Sequence, residues 1–486
     1  MVRSGCGCSR KGAKMKTRRL TKKETWIFAI GQLGWSILGG IINTWLVTFY
    51  LPTQDSADAG AKFYVPTGLV IFGIFTVLGL ITFVCRIFDA VTDPLIATMS
   101  DRSRNPKGRR LPFMKVAAIP FAVITVLVFC APIEHISAIN IIWILFFLIL
   151  FYLFMTIYCT PYNALISEFG KTQDDRMYIS TAISFTYFFG TLIAYLPFVF
   201  AGVLQGVVTY AWSYRLLFII LAIIALICML IPTIKLNERD FVDAKPSESN
   251  MMRSLSSTFK NRNFLKFSAS DIAYWIGLTL FQTGLPFFVR VSMHLDEFYT
   301  TVFLGAMTVL SACFYPFVSR LVKKFGKKKL VITGFFGLML AYIITALIGV
   351  IPLPGIVFGI LIVVIAAFPM ALLGIIPQSI VADVAEEDAL KTGENREGMF
   401  FAARTFAMKL GQSIAMLAFT SLAVLGATQD ITENELMASE QGLRIVAVVA
   451  VIFCCLGAVI LMFYNEKDVM KTINDAHAAQ AEGNEK

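Results

Sequence analysis

From residue 25 onward the chain alternates between long apolar runs and short polar or charged breaks. Each run is about 20 residues, the length an α-helix needs to cross roughly 30 Å of hydrocarbon. Their spacing predicts about twelve helices, near 25–51, 66–100, 112–133, 139–167, 177–203 and 212–235, then 264–291, 299–322, 329–350, 353–383, 398–426 and 441–464. Between the sixth and seventh lies the one long hydrophilic interruption, KLNERDFVDAKPSESNMMRSLSSTFKNRN. The pattern predicts an arm over 1–24, a six-helix half over 25–235, a linker over 236–263, a second half over 264–464 and a polar tail over 465–486.

Composition agrees. Hydrophobic residues make up 57% of the 486 and charged residues only 15%, with a mean hydropathy of +0.72, values far from those of a soluble domain. An all-α integral membrane protein follows. The net charge of +10 does not point to nucleic acid, because Lys and Arg are confined to particular connections. They lie at Arg18, Arg19, Lys22 and Lys23, in RSRNPKGRR, between Lys235 and Lys266, and in RLVKKFGKKK. With a first helix starting near Thr25, all of these fall on one side, which the positive-inside rule makes cytoplasmic. The alternate connections are neutral or acidic, around Asp55, Glu134, Asp296 and DITENE. Both termini are then expected inside, in a cell (inner, cytoplasmic) membrane, with the lipid bilayer as surroundings and a monomer as the assembly. Met15, followed by a basic run, is an alternative start. Seven of nine cysteines sit in apolar segments, where a thiol acts as a small hydrophobe. Three histidines and a lone CGC in the arm fall short of a metal centre, and no cofactor is expected.

The two halves echo each other. SDRSRNPKGRR follows the second helix and SRLVKKFGKKK the eighth, each placing Gly within a basic cluster that suits a tight turn. Two six-helix halves related by an axis along the membrane normal form the major facilitator fold, with substrate near mid-depth between them. Within the second helix, GLITFVCRIFDAVTDPLIATMS, Asp89 and Asp93 are four residues apart and share one helical face. Each would cost about 2.5 to 3.5 kcal/mol at mid-membrane if left alone, so the pair must face protein, water or a cation. A structural alternative has Arg86, one turn earlier, neutralising Asp89.

RIFDAVTDPLIATMSDRSRNPKGRRLPF resembles the second-helix signature of the glycoside-pentoside-hexuronide:cation symporters of the major facilitator superfamily. YCTPYNALISEFGKTQDDR, QSIVADVAEEDA and FAMKLGQS agree with it. The resemblance implies a coupling-cation site at Asp89, Asp93, Thr92 and Thr156, holding Na⁺ if the coupling is to sodium; the same acids could carry H⁺ instead. It departs from the family at the sugar site, where Ser36, Cys159, Asn163 and Ser184 replace the groups that grip a galactoside. Melibiose is therefore not the expected substrate.

Lys409 matches the family's lysine in the eleventh helix and is a candidate counter-ion to the acids, its alternative being to snorkel to the surface. Arg404 has no counterpart in that pattern. It is read either as a grip on a carboxylate or phosphate, which would make an acidic sugar attractive, or as a gate pairing with Asp383 or Glu387. Tyr162 and Asn163, beside the kink at Pro161, and Tyr274, Trp275 and Gln282 of the seventh helix complete the substrate candidates with Arg404 and Lys409. Asp271 is expected to make a structural contact. Asp101, Arg102, Arg109, Arg110 and Asp383 are the expected cytoplasmic gate. No nucleophile and base pair or appended soluble domain appears, so an enzyme is not expected. The reading is a secondary active transporter: cation-coupled symport of a sugar or glycoside by alternating access, with a lipid or lysolipid carrier of the same superfamily as the alternative.

Overall fold

The computed structural model describes residues 18–103, 105, 108–170, 173–241, 258, 260–393, 397–427 and 436–484. Most of the arm and most of the linker lie outside these residues. The first half contains α1 (Lys22–Tyr50), the short α2 (Gln54–Asp58), α3 (Val77–Asp101), α4 (Leu111–Leu127), α5 (Ala138–Phe169), α6 (Gln173–Ala194), α7 (Pro197–Gln205) and α8 (Tyr210–Lys235). The second contains α9 (Arg262–Phe287), extended by a π-helical turn at Phe288–Ser292, then α10 (Phe298–Phe325), α11 (Lys327–Ala346), α12 (Gly355–Thr392), α13 (Glu397–Leu422), α14 (Glu440–Met462) and α15 (Glu466–Asn484).

Among the described residues, nine spans are long and apolar enough to cross a membrane, with α6 and α7 forming one of them. The other three crossings are α4, only 17 residues long, and α3 and α13, which carry Arg86, Asp89, Asp93, Arg404 and Lys409. Polar side chains set several helix starts by accepting orphan N–H groups. Thr21 and Glu24 close a capping box on α1, Thr76 caps α3, and Asn261 caps α9.

Several boundaries differ from the sequence reading. The second crossing starts at Val77, not 66, because the apolar stretch before it turns back on itself at Phe72 and Gly73, both at positive φ. The predicted 177–203 helix breaks before Pro197, whose ring cannot continue it. The third ends at Leu127, the tenth runs on to Thr392, and the supposed polar tail forms α15.

The halves repeat one packing scheme. In the first, α1 packs on α6 and α8, α4 on α5 and α8, and α3 on α5; in the second, α9 packs on α13 and α14, α11 on α12 and α14, and α10 on α12. The basic loops explain part of this repeat. Glu238 accepts the backbone N–H groups of Arg109, Arg110 and Leu111 at 2.9, 2.8 and 2.9 Å, capping α4. Glu466 accepts those of Lys327 and Lys328 at 2.7 and 3.1 Å, capping α11. A carboxylate suits the positive end of a helix dipole, and the preceding Gly108 and Gly326, at φ +118° and +83°, let the chain approach. Across the middle, the halves are joined mainly by α3 lying against α13.

Candidate functional site

The site lies where α3, α5 and α13 meet. Asp89 and Asp93 on α3 face Thr156 and Thr160 on α5, each pair four residues apart, so the two helices present matching rungs. Thr156 donates to Asp89 Oδ1 at 2.8 Å and Thr160 to Asp93 Oδ1 at 3.3 Å. A proline follows each lower rung, Pro94 and Pro161, where the helix loses a backbone hydrogen bond and can open toward a ligand.

Lys409 enters from α13 and bridges the acids, its Nζ 2.8 Å from Asp89 Oδ1 and 2.6 Å from Asp93 Oδ2. Snorkelling is therefore excluded: the lysine side chain is only 8% exposed. Two carboxylates against one ammonium leave a formal charge of −1. Asp89 is fully buried and its Oδ2 has no hydrogen-bond partner, an arrangement that costs upward of about 1 to 3 kcal/mol and that a small cation would relieve. Oxygen ligands from two acids and two threonines fit a hard cation, provided Lys409 moves aside. Thr92 is less committed, since its hydroxyl donates to the Asp89 carbonyl at 3.0 Å.

Arg86 does not neutralise Asp89. Its Nη2 donates to Asn43 Oδ1 on α1 and its guanidinium lies over the Tyr152 ring, 4.9 Å from the centroid. Arg404 does not gate with Asp383 or Glu387 either. It binds Asp271 in a two-pronged pair of 3.0 and 3.3 Å, with Asp271 1% exposed, while Asp383 takes Lys327 and Glu387 takes Lys391.

The substrate candidates separate. Tyr162 is a correction: it is fully buried, stacked on Phe28 with centroids 4.3 Å apart, and its hydroxyl donates to the Phe28 carbonyl, so it holds α5 to α1. Ser36 is likewise taken up by Gln32. Tyr274 is buried beside Trp275, whereas Asn163 and Gln282 are exposed. Of the gate residues, Arg109 and Arg110 pair with Glu168 at 2.6 and 3.2 Å and Arg102 is exposed at the α3 end; the Asp101 side chain lies outside the described residues. The pairs Arg109–Glu168, Arg110–Glu168 and Lys327–Asp383 each stay within one half, so none of them ties the halves together.

The opposite face is tied across the halves. Tyr214 on α8 donates to Glu297 Oε2 at 2.7 Å, Arg290 pairs with the same carboxylate, and Thr301 donates to the Tyr195 carbonyl at 3.1 Å. Exposure of the acids rises from nil at Asp89 to 25% at the Asp93 side chain, one turn nearer the basic face. The more exposed acid is thus the one nearer the basic face, and the opposite face is bonded across the halves.

Sequence reading missed Thr160, although its spacing from Thr156 mirrors that of the acids. It also missed Asn43, Tyr152, Glu168, Glu238 and Glu466, whose partners are distant in the chain.

Comparison with known proteins adds a family. A model described as MFS/sugar transport protein matches residues 27–467. The isoprimeverose transporter of Lactiplantibacillus pentosus is 23% identical over 80% of this chain and 78% of its own. The sodium-dependent lysophosphatidylcholine symporter 1 of Xenopus tropicalis is 22% identical over 80% and 76%. Among solved structures, the nucleoside transporter NupG superposes with a TM-score of 0.62 at 14% identity, covering 91% of this chain and 99% of that one.

Proposed function

The chain belongs to the MFS/sugar transport protein family, and we propose that within it the protein is a cation-coupled symporter of a sugar or glycoside, working by alternating access with Na⁺ or H⁺ as the coupling ion. The observation that carries this reading is the buried pair Asp89 and Asp93 bridged by Lys409, with Asp89 Oδ2 unpartnered. A monovalent cation taking the ammonium's place supplies the charge that Lys409 removes when it withdraws. Asp89, Asp93, Thr156 and Thr160 are the proposed cation ligands, and Asn163, Trp275 and Gln282 remain substrate candidates. The departures at Ser36, Cys159, Asn163 and Ser184 argue against melibiose. By the positive-inside rule the basic face is cytoplasmic, so that in a cell membrane Asp93 is the acid nearer the cytoplasm and the bonded face is the outer one.

One charge moved through 100 mV gains about 2.3 kcal/mol, enough to concentrate a neutral solute roughly fiftyfold. Uptake into proteoliposomes tests this. Asp89→Asn and Asp93→Asn should each abolish accumulation against a gradient while leaving solute exchange measurable; wild-type accumulation by both variants refutes the reading.

A lysolipid carrier is the second reading, favoured by the α6 and α10 seam. The chain just past α6 meets α10 where Thr301 donates to the Tyr195 carbonyl, while Phe185, Tyr187, Tyr315 and Phe317 on the two helices are exposed, an apolar surface along which an acyl tail could lie. Uptake of a lysolipid and of no sugar would select it.

A further inference from the structure

The connection between α1 and α3, on the face opposite the basic loops, divides into two unlike parts. Its first part is charged and exposed at Asp55, Asp58 and Lys62. Its second, GLVIFGIF at 68–75, carries no polar side chain, and no charge follows Lys62 until Arg86. This second part is a tight turn. The Ile71 N–H donates to the Phe75 carbonyl at 3.1 Å, the Phe75 N–H to the Ile71 carbonyl at 3.0 Å, and the Ile74 N–H to the Ile71 carbonyl at 3.1 Å. Closing it puts Phe72 at φ +53°, where a bulky side chain is rare. Phe72 is nevertheless 89% exposed, with Ile74 at 59% and Val70 at 47% beside it. Such a cluster is unfavourable in water and marks a contact surface.

Three observations say what covers it. Depth is the first. α3 has 25 residues and so a length of roughly 37 Å, against roughly 30 Å of hydrocarbon. It ends at the basic face, so its start at Val77 reaches the opposite edge of the hydrocarbon, and the turn that closes at Phe75 sits at that edge. Continuity is the second. Leu80, Val84, Val91 and Leu95 are exposed along α3 on the side away from Asp89 and Asp93, a lipid-facing stripe that the turn prolongs past the helix start. The third is the backbone. Chain that enters an apolar medium must satisfy its own polar groups, and the turn pairs Ile71 and Phe75 with each other instead of with water. We propose that the 70–74 turn is an interfacial anchor: Val70, Phe72 and Ile74 lie among lipid chains just beneath the headgroups of the outer leaflet and fix the depth of the outer end of α3, the helix that carries the acid pair. The partner is the bilayer itself. The inference does not depend on the coupling ion or the substrate.

The test uses the full-length protein in nanodiscs of phosphatidylcholine and phosphatidylglycerol, labelled by two probes and read residue by residue in the tryptic peptide 63–86 and its neighbours. One probe is the hydroxyl radical, made in the water. The other is a carbene released from a diazirine on the upper part of a lipid acyl chain. Exposed His135 is the water reference, and Val91 and Leu95 are the lipid references. In the wild type, Phe72 and Ile74 should take the carbene as Val91 and Leu95 do and show little oxidation beside His135, after correction for intrinsic reactivity. Oxidation of Phe72 at the level of His135 places the turn in water and overturns the proposal. Protection of Phe72 from both probes means that protein covers it, as a second copy or a lid over the outer face, and overturns it equally. In Phe72→Asp, Val70 and Ile74 should lose most of their carbene label and gain oxidation, while Val91 and Leu95 keep theirs, which shows the variant is folded and inserted; Phe72→Leu should keep the wild-type pattern. Unchanged carbene labelling of Val70 and Ile74 in Phe72→Asp overturns the anchoring role. Should that variant fail to insert, the wild-type pattern decides alone.

Discussion

Replacing Lys409 with Gln removes the ammonium that sits 2.8 and 2.6 Å from the two acids, and the geometry fixes the sign of the effect on cation binding. Unit charges about 4 Å apart interact by roughly 4 kcal/mol at an effective dielectric constant of 20. The cation site changes from −1 to −2, so an entering cation gains up to about that much, an upper bound of roughly a thousandfold in affinity. Without a cation, the fold should lose about 3 to 5 kcal/mol, the usual result of breaking a buried pair from one side. A hundredfold gain is enough to read. At a Na⁺ concentration equal to the wild-type Kd, the wild type gains about 0.4 kcal/mol and the variant about 2.7 kcal/mol from binding. Thermal unfolding of Lys409→Gln titrated with Na⁺, Li⁺, K⁺ and choline should therefore show a lower starting Tm and a steeper rise with the transported ion. If the proton is that ion, the same rise appears on lowering pH. A variant whose Tm responds to every ion as the wild type does, or less, refutes the claim that the ammonium holds the cation's place.

Thr160→Val should weaken cation binding severalfold to about thirtyfold, since it removes an oxygen worth about 1 to 2 kcal/mol, with little change in the cation-free Tm. Arg404→Ala strands the buried Asp271 and should cost about 3 to 5 kcal/mol; adding Asp271→Ala should recover part of the lost Tm, and additive losses would show the two are not coupled. At the opposite face, burial pushes the Glu297 carboxyl above its ordinary 4.5, against the pull of Arg290 and Tyr214, with Asp55 pushing the same way and Tyr210 packed alongside. A raised value means the closed face favours the protonated acid. Its contribution is full below 4.5 and fades as pH rises through the raised value. Closure, followed by a fluorophore pair across Tyr195 and Thr301, should weaken with rising pH, and Glu297→Gln should flatten that dependence.

The parts of this architecture that rest on local spacing were legible. Apolar length gave the crossings, the i, i+4 spacing gave the acid pair, and Lys409 stood out as a charge eleven residues into an apolar helix. The errors share a cause. The stretch before Val77 is apolar enough to pass for helix, and only Pro66, Gly68 and Gly73 signal the turn it makes. Tyr162 is on a polar-looking segment, but helical phase does not reveal that Phe28, 134 residues away, takes its hydroxyl. The structural alternative pairs Arg86 with Asp89 because Asp89 is near in sequence, whereas Asn43 and Tyr152 reach Arg86 from two other helices. Glu238 and Glu466 lie beyond the ends of helices α8 and α14, and nothing local marks them as caps for α4 and α11.

If transport is cation-coupled as proposed, the repeat places the coupling on one contact. At the basic face the halves are built alike, with a capping glutamate, a left-handed glycine and an ion pair in each, and those bonds hold each half rigid. The acid pair belongs to the first half alone, and Lys409 reaches it from the second. A cation that displaces the ammonium thus exchanges a bond between the halves for one within the first half. Such an exchange alters the free energy of their relative placement, which a ligand contacting only one rigid half equally in both states does not. The opposite face is held by Tyr214, Glu297 and the Thr301 bond to Tyr195. On the proposed reading, weakening the central bond shifts the balance between that closure and its reverse, and the α3 and α13 seam is where cation binding would act on it.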